Sequence, residues 1–246
     1  MQKIISKNKI LDFKKNGYII YRNLISKEDI LNAKDDLINF ITKNKHKFSK
    51  REINFTKSGN INSIHNLNDW KWTKNLKKNK KILSIVSELL EDNISEFGAE
   101  LFSKPAKVGL GSPMHQDNYY WCLNNPNAVT IWIALEDSSK ENGGVYYLSK
   151  SHKLGLLEHT ASNVPGSSQM IKYQEGLKVF KVDFPTLKAG DCIIHHSLIA
   201  HGSKANKSKY SRIGWTLRFK SKTAYIDNFL KKKYEHDLSK QLKDRK

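Results

Sequence analysis

The sequence predicts an α+β fold with a mainly β core, a cupin-like jelly roll flanked by helices. Two observations lead to this prediction. Helical apolar spacing fills the first part of the chain, whereas the part from Ile94 onward breaks into about eight short apolar segments separated by turn residues. The chain also contains 5 Trp, 10 Tyr and 10 Phe, which strands favour. Helices followed by many short strands are typical of α+β proteins, and the strand number fits a jelly roll.

The first part of the chain is predicted to be mostly helical. A short helix over 10–16 ends at Gly17, and the β-prone run Tyr18–Tyr21 follows it. Ser26, with Asp29 three residues later, resembles a capping box that begins a second helix. The expected apolar faces are Ile30, Ala33, Leu37, Ile38 and Ile41 on that helix, and Ile82, Ile85, Val86, Leu89 and Leu90 on a later one.

The whole chain, 1–246, is interpreted as a single domain. Its predicted parts are a helical N-terminal part over 1–93, a jelly-roll core over 94–222 and a charged C-terminal helix or tail over 223–246. The expected strands cover 97–104, 112–121, 128–136, 143–149, 178–184, 190–197 and 211–221. Residues 46–68 are predicted to be a long loop with one short strand, either a functional lid or an insertion. The insertion over 153–176 is expected to cover the pocket with it.

Composition limits the classes of protein to consider. The net charge of +19 indicates either an anionic partner or a lysine-rich composition with solvated charges. No zinc finger, aromatic RNA-binding motif or arginine stripe is present, so no specific nucleic-acid partner is expected. The two cysteines, Cys122 and Cys192, form no C-x-x-C pair and are interpreted as reduced thiols. No signal peptide or membrane-length apolar run is found, and a cytoplasmic location is expected.

His115 and Asp117 are the first candidates for chemistry. They lie two residues apart in a segment predicted to be a strand, where residues i and i+2 share a face. A histidine and a carboxylate that reach one point are two thirds of a facial triad that holds Fe(II) and leaves positions open. A solvated turn without metal is the alternative. A second histidine must come from a distant strand, and His195, His196 and His201 compete for that role.

Four stretches of the chain, in order, point to a known family. These are Phe13-Lys-Lys-Asn-Gly17 with the Ser26-capped helix; His115-Gln-Asp117; Trp132-Ile-Ala-Leu-Glu-Asp137 with Glu141-Asn-Gly-Gly144 and Leu148-Ser-Lys-Ser-His152; and His201-Gly-Ser203 with Asn206, Ser208 and Arg212. With these motifs the chain resembles the phytanoyl-CoA dioxygenase family of Fe(II)/2-oxoglutarate-dependent oxygenases. One departure is Ser149-Lys-Ser, where the family usually has Pro-Gly-Ser. This departure changes a turn and no ligand.

The resemblance implies a double-stranded β-helix with a bound iron and a cosubstrate. His115, Asp117 and His201 would bind Fe(II), with 2-oxoglutarate and O2 in the remaining positions. Arg212 would bind the far carboxylate of 2-oxoglutarate, because a guanidinium forms bidentate hydrogen bonds with a carboxylate. Ser203 would donate to the same carboxylate. Trp132 matches a family position that lines the cosubstrate pocket, although it could also be plain core.

Several residues near the motifs have two interpretations. His195 is either a competing ligand or a residue that supports the ligands. Tyr119, Tyr120 and Trp121 follow the iron motif and either shape the substrate pocket or only pack the barrel. Lys104 is interpreted as a solvated strand residue, with a pocket cation as the alternative.

The resulting hypothesis is an iron enzyme that hydroxylates an unactivated C–H bond of a small, anionic metabolite. A phosphonate, an acyl group, an amino acid, or a sugar or natural-product intermediate would fit. An aspartate at position 117 leaves no vacant ligand position for a halide, which favours hydroxylation over halogenation. The alternative is a catalytically silent jelly roll that binds an anionic ligand or a nucleic acid.

Overall fold

Two facing antiparallel sheets and a layer of helices form the structure, which is a computed structural model. It describes residues 4–49, 52–56, 58–162, 164 and 168–244. The larger sheet has seven strands and the smaller has four, and a separate two-stranded hairpin lies beside them. The predicted α+β jelly roll with flanking helices is therefore confirmed.

The helices and strands follow one another in this order. They are α1 (Lys7–Asn16), β1 (Tyr18–Tyr21), α2 (Lys27–Asn44), β2 (Ile53–Phe55), β3 (Ile61–Ile64), α3 (Lys71–Lys77), α4 (Lys80–Leu90), β4 (Ile94–Lys104), β5 (Ser112–His115), α5 (Asp117–Trp121), β6 (Ala128–Ala134), β7 (Val145–Leu148), β8 (His159–Ala161), β9 (Gln169–Ile171), β10 (Val182–Asp183), β11 (Cys192–His196), β12 (His201–Ser203), β13 (Arg212–Ser221) and α6 (Asn228–Asp244). Short 3-10 turns cover Lys45–Lys47, Ser151–Leu154 and Glu175–Leu177.

The large sheet has the strand order β1-β11-β6-β13-β4-β3-β2, and its two faces differ in chemistry. Side chains alternate between the faces of a strand. On β13, Trp215 and Leu217 face the helices and join the main apolar core. Thr216 and Arg218 lie on the other face, because they are directly opposite Trp132 and Thr130 of β6. That polar face looks toward the small sheet, whose order is β10-β7-β12-β5.

The helical layer forms as its sequence predicts. The Ser26 hydroxyl accepts a hydrogen bond from the Asp29 N–H and begins α2. Gly17 ends α1 with a φ of 84°, a left-handed conformation that glycine adopts without a steric cost. The apolar face of α4 is buried as predicted. On α2 the predicted face is correct except for Ile38, which is 67% exposed.

Three predicted segments differ from the structure. The strand predicted over 112–121 ends at His115, and the following aromatic run forms α5, where packing overrides β propensity. The later predicted helix, which carries Ile82, is preceded by a separate helix, α3, because Asn79 caps a new helix by accepting from the N–H groups of Lys81 and Ile82. Strand β10 is only two residues long within the predicted 178–184.

The loop predicted over 46–68 contains two strands, β2 and β3, which extend the edge of the large sheet next to β4. Of this stretch, residues 50, 51 and 57 lie outside the described residues. The insertion over 153–176 forms the β8–β9 hairpin, of which 163 and 165–167 lie outside the described residues. The segment before 94 thus adds β1, β2 and β3 to the sheet as well as helices.

The charged C-terminal segment forms α6, which packs against α5 and β8. The Tyr119 hydroxyl donates to Asp237, and the Gln241 side-chain amide donates to the Ser162 carbonyl. Residues 245 and 246 of the predicted tail lie outside the described residues. Both cysteine thiols are buried and free, as expected. Within the described ranges, none of the helices has the length and apolar character needed to cross a bilayer.

The tryptophan pair at the centre of the apolar core provides a test of the packing. Trp70 and Trp215 are 0% exposed, and their ring centroids lie 4.7 Å apart. We expect Trp215→Ala to lower the free energy of unfolding by about 3–5 kcal/mol, because it leaves a large cavity. Urea unfolding measures this change. Phe229→Ala, at a side chain that is 76% exposed, is the control and should change stability by less than about 0.5 kcal/mol. A loss of similar size in both variants would contradict the assignment of the core.

Candidate active site

Two histidines lie directly opposite each other on the small sheet. His115 ends β5 and His201 begins β12, and the two are paired in the strand register. Their ring centroids are 4.3 Å apart. In each ring Nδ1 lies within hydrogen-bond distance of a backbone carbonyl two residues earlier, Pro113 O at 2.8 Å and Ile199 O at 3.0 Å. A carbonyl only accepts, so each Nδ1 carries the proton and each Nε2 keeps a free lone pair.

Asp117 completes the constellation, although it does not lie on a strand. The chain leaves β5 at Gln116, and Asp117 is the first residue of helix α5. Its Oδ1 atom is 3.7 Å from His115 Nε2 and 3.6 Å from His201 Nε2. The three candidate ligand atoms all lie within 4.8 Å of one another. The structure therefore brings the three predicted residues together, while the strand geometry expected for His115 and Asp117 is wrong.

The second oxygen of Asp117 is occupied by protein groups. The Thr130 hydroxyl donates to Oδ2 at 2.6 Å, and His195 Nε2 lies 3.1 Å from the same oxygen. The other ring nitrogen of His195, Nδ1, is 3.1 Å from the Tyr147 hydroxyl. Because Nε2 donates to the carboxylate, Nδ1 accepts from Tyr147. His195 thus orients the carboxylate, which is the supporting role that the sequence left open, and Oδ1 alone points to the two histidines.

Burial and charge keep all three groups in the form that binds a metal. Burial lowers the pKa of His115 and of His201 to about 4, so both rings are neutral at pH 7. Burial alone would raise the pKa of the Asp117 carboxyl. Electrostatic attraction to the His201 and His195 rings, together with the hydrogen bond from His195, outweighs burial and holds that pKa well below its usual range. Two neutral imidazoles and one carboxylate are what a divalent cation requires.

Arg212 is a buried cation whose side chain meets no acidic group in the part of the chain that the structure describes. It is 2% exposed, and its Nη2 and Nη1 atoms donate to the carbonyls of Gly143 at 2.9 Å and Phe102 at 3.5 Å. Among the described residues, its buried Nε–H has no acceptor. A buried guanidinium with an unused donor is the environment that a carboxylate ligand fits.

Lys104 lies directly across the strand pair from Arg212. It is 4% exposed, so the prediction of a solvated strand residue is wrong. Its ammonium donates to the carbonyls of Leu110 and Lys204. Burial, together with the charge of Arg212, lowers the pKa of Lys104 to about 6. With that pKa the amine is largely neutral at pH 7, and its hydrogen bonds tie two loops together beside Arg212.

The other two predicted cosubstrate residues, Trp132 and Ser203, are also buried. The Arg212 guanidinium carbon is 5.2 Å from the centre of the Trp132 ring. Gly214 faces that ring so closely that any side chain at position 214 would collide with it. Ser203 is buried at the end of β12, two residues from His201, so the two share a face of the strand as predicted.

Comparison with known proteins identifies the family. A family model described as "Phytanoyl-CoA dioxygenase (PhyH)" matches residues 13–214. The chain belongs to the phytanoyl-CoA dioxygenase family. It is 25% identical to "Phytanoyl-CoA dioxygenase, peroxisomal" of Bos taurus, over 87% of this chain and 68% of that protein. It is 30% identical to a "Phytanoyl-CoA dioxygenase domain-containing protein 1 homolog" of Dictyostelium discoideum, over 69% of this chain and 60% of that protein. The matched regions thus span about two thirds of these relatives.

Solved structures of other proteins share the fold of this chain. The EctD protein of S. alaskensis, determined "with bound Fe" and "with 2-oxoglutarate and 5-hydroxyectoine", superposes with a TM-score of 0.78 at 18% identity. The match covers 92% of this chain and about 80% of EctD. The "non-heme alpha ketoglutarate dependent carbocyclase SnoK" gives a TM-score of 0.73 at 18% identity, over 90% of this chain and 86% of SnoK. The family and its shared motifs make the chain a 2-oxoglutarate-dependent non-haem iron oxygenase.

Two of the aromatic residues after the iron motif have different roles, one at the site and one in packing. Tyr120 faces the site, with its ring centroid 5.7 Å from that of His115 and its hydroxyl donating to the Gln169 carbonyl on β9. Tyr119 stacks on His159 at 4.1 Å and holds helix α6. Tyr234 of α6 lies 5.8 Å from the Tyr120 ring. One tyrosine thus lines the site while its neighbour fixes the elements that cover it.

Sequence reasoning missed five polar residues that the structure places at or beside the site. They are Thr130 and Tyr147, which support Asp117 and His195, and His65, Glu100 and Arg218, which lie farther along the large sheet. A signal was available for some of them. Thr130 is the one polar residue in the run Ala128–Ala134, and Arg218 keeps the alternation of polar and apolar residues along β13.

The buried histidines make stability depend on pH. Burial lowers the pKa of His115, His159, His196 and His201 to about 4, whereas an unfolded histidine titrates near about 6.5. Between these values the unfolded chain binds more protons than the folded chain. We therefore expect the metal-free protein to keep full stability above about pH 6.5 and to lose it as pH falls toward 4, on the order of 3 kcal/mol for each histidine.

Urea unfolding of the metal-free protein from pH 7.5 to 4.5 measures this effect. His196→Gln removes one of the four groups and should reduce the pH dependence by about a quarter. His46→Gln, at an exposed position, is the control. A free energy of unfolding that stays flat across the window would contradict the buried, neutral assignment.

Proposed function

We propose that the chain is an Fe(II)- and 2-oxoglutarate-dependent dioxygenase that hydroxylates an unactivated C–H bond of a small metabolite, with succinate and CO2 as coproducts. One observation carries the proposal. The His115–Asp117–His201 group converges on one point, and the buried Arg212, which has no acidic partner among the described residues, packs on Trp132 in the same layer between the sheets. A metal site alone would need no such cation, and an anion site alone would need no such triad.

The iron ligands in this proposal are Nε2 of His115, Nε2 of His201 and Oδ1 of Asp117. Their Nδ1–H and Oδ2 groups are already bonded to the protein, so each ligand presents one fixed atom. A set of two imidazoles and one carboxylate on one face suits Fe(II) and leaves positions open. When bound, iron would activate O2 for attack on a C–H bond, and 2-oxoglutarate would supply two further electrons as it becomes succinate and CO2.

Arg212, Ser203 and Trp132 would hold 2-oxoglutarate. The Nε–H of Arg212 is the unused donor, and its pairing with a carboxylate would satisfy both the donor and the buried charge. Trp132 holds the guanidinium from one side. Ser203, on the face that carries His201, is placed to donate to the same carboxylate. This arrangement fixes one end of the cosubstrate and directs its other end toward the triad.

The protein's own part in the reaction is to position groups and exclude water. Asp117 occupies its ligand position permanently, which favours hydroxylation over halogenation. Tyr120, the β8–β9 hairpin and helix α6 cover the open side of the triad. The net charge of +19 and the cations facing the pocket favour a substrate with an anionic group.

The first prediction of this proposal concerns turnover. Protein purified without oxygen and given Fe(II), 2-oxoglutarate and then O2 should release succinate. We expect Asp117→Ala and His201→Ala to lower that release at least 100-fold, because each removes a ligand atom. The matched control is His196→Gln. His196 lies five residues before His201, but its ring contacts Phe13 and His152 instead of the triad. A wild-type protein that binds no iron and releases no succinate would contradict the proposal and favour a silent binding module.

The second prediction concerns the cosubstrate. We expect Arg212→Met to weaken 2-oxoglutarate binding about 100-fold, because it removes the charge that pairs with the carboxylate, and Arg212→Lys to weaken it less. Anaerobic calorimetry of the Fe(II)-loaded protein measures the dissociation constants. Arg22→Met, at an arginine whose side chain is 55% exposed and paired with Asp191, is the control. Equal affinity in Arg212→Met and the wild type would exclude Arg212 from the cosubstrate site.

A further inference from the structure

A second charged group lies on the inner face of the large sheet and has no part in holding iron or 2-oxoglutarate. Its members are Glu100 on β4, Arg218 on β13 and His65 just after β3. His65 Nδ1 is 3.0 Å from one oxygen of Glu100, and Arg218 Nη1 is 3.7 Å from the other. The side chains of Glu100 and Arg218 are 16% and 19% exposed. They are largely, but not completely, removed from solvent.

This group lies beside the triad, at the opposite end from Arg212. Arg218 is directly across from Thr130, whose hydroxyl donates to Asp117, and Glu100 is directly across from Thr216 on the same face. Arg212 and Arg218 are six residues apart on β13, roughly 20 Å along an extended strand. One small anion cannot bind both arginines, so the two cations belong to different ligands. With 2-oxoglutarate assigned to Arg212, Arg218 is left for the substrate.

The ion pair in this group is incomplete. A separation of 3.7 Å between Arg218 and Glu100 is longer than a hydrogen bond. Among the described residues, the buried Nε–H of Arg218 has no acceptor. The guanidinium is held flat by two rings, with its carbon 5.5 Å from the centre of Phe97 and 5.9 Å from that of Trp121. Arg218 is thus fixed in place with a donor unused, next to a carboxylate that is only loosely paired with it.

We propose that Glu100 and Arg218 are the substrate-binding subsite and that the substrate is a small zwitterion of the amino-acid class. Its carboxylate would bind Arg218 and its ammonium group would bind Glu100, with the C–H bond to be oxidised directed toward the triad. This inference rests on the proposed function. A zwitterion complements this loosely paired guanidinium and carboxylate, because each protein group then bonds to the opposite charge of the ligand. Every charge in the subsite is then paired. A lone anion would be repelled by Glu100, and an acyl chain would leave both charges unsolvated.

The family match neither requires nor predicts this subsite. Arg218 lies beyond residues 13–214, where the family model ends. The curated relatives are named for an acyl-CoA substrate, whereas a charged pair beside the triad suits a compact polar molecule. The subsite is therefore argued from the contacts of Glu100 and Arg218 and not from the family match.

The test measures ligand binding to the protein loaded with Fe(II) and 2-oxoglutarate in the absence of oxygen, so that no turnover occurs. The probes are the free L-amino acids, the N-acetyl and amide derivatives of any that bind, and hexadecanoyl-CoA. We expect at least one free amino acid to bind, and either derivative to bind at least tenfold more weakly. Glu100→Gln and Arg218→Met should each weaken binding at least tenfold, with Arg218→Lys intermediate because it keeps the charge.

Glu96→Gln is the matched control, since it removes a carboxylate from the same strand whose partner is Lys77 on the helical side. It should bind the amino acid within twofold of the wild type. The proposal is overturned if no free amino acid binds at millimolar concentration, if hexadecanoyl-CoA binds instead, or if both subsite variants bind like the wild type. Circular dichroism checks that each variant is folded. Failure of the proposed function is recorded separately, because it appears as failure to take up Fe(II) and 2-oxoglutarate before any amino acid is added.

Discussion

The antiparallel pairing of β5 with β12 determines the geometry of the site. It sets His115 and His201 opposite each other, and a backbone carbonyl two residues before each ring fixes which nitrogen is free. The third group depends on that pairing too, because Asp117 reaches the two rings only after the chain leaves β5 at Gln116 and begins a helix. A shift of one residue in the register would turn one imidazole to the opposite face. The small sheet therefore defines the centre, and the large sheet provides the polar groups around it.

The buried polar and charged groups along the large sheet have different roles. Thr130 and His195 satisfy one oxygen of Asp117 from two neighbouring strands. At one end Arg212 lies opposite Lys104, and no acidic side chain of the described ranges pairs with Arg212, whereas Arg218 is loosely paired with Glu100 toward the other end. Buried cations without acidic partners are costly in a protein interior unless a ligand completes them. Arg212 and Arg218 thus lie at opposite ends of the space between the two sheets, with Thr130 and Asp117 beside Arg218.

Much of this could be predicted from the sequence, for physical reasons that differ between its parts. The helices and long strands were predictable because their apolar spacing is strong, and Gly17 and Ser26 mark helix ends by backbone and capping chemistry. The triad and Arg212 were predictable because His115-Gln-Asp117 and the stretch from His201 to Arg212 are each compact motifs that match the family, although they are far apart along the chain. The helical turn at Asp117 was missed, because its aromatic residues favour strands and only packing makes them helical. Glu100 and His65 were missed because their proximity depends on sheet register, which local sequence does not specify.

Strand β13 carries residues for core packing on one face and polar residues that look toward the small sheet on the other. Trp215 and Leu217 pack into the apolar core, while Arg212, Thr216 and Arg218 face the cleft. With the ligands proposed for these residues, a change on the polar face would alter ligand binding without removing a core contact, and a change on the core side would alter folding without touching a ligand. Such a division lets the two faces evolve at different rates. New substrate preferences can be acquired by exchanging single cleft residues, while the scaffold that holds the metal ligands stays the same.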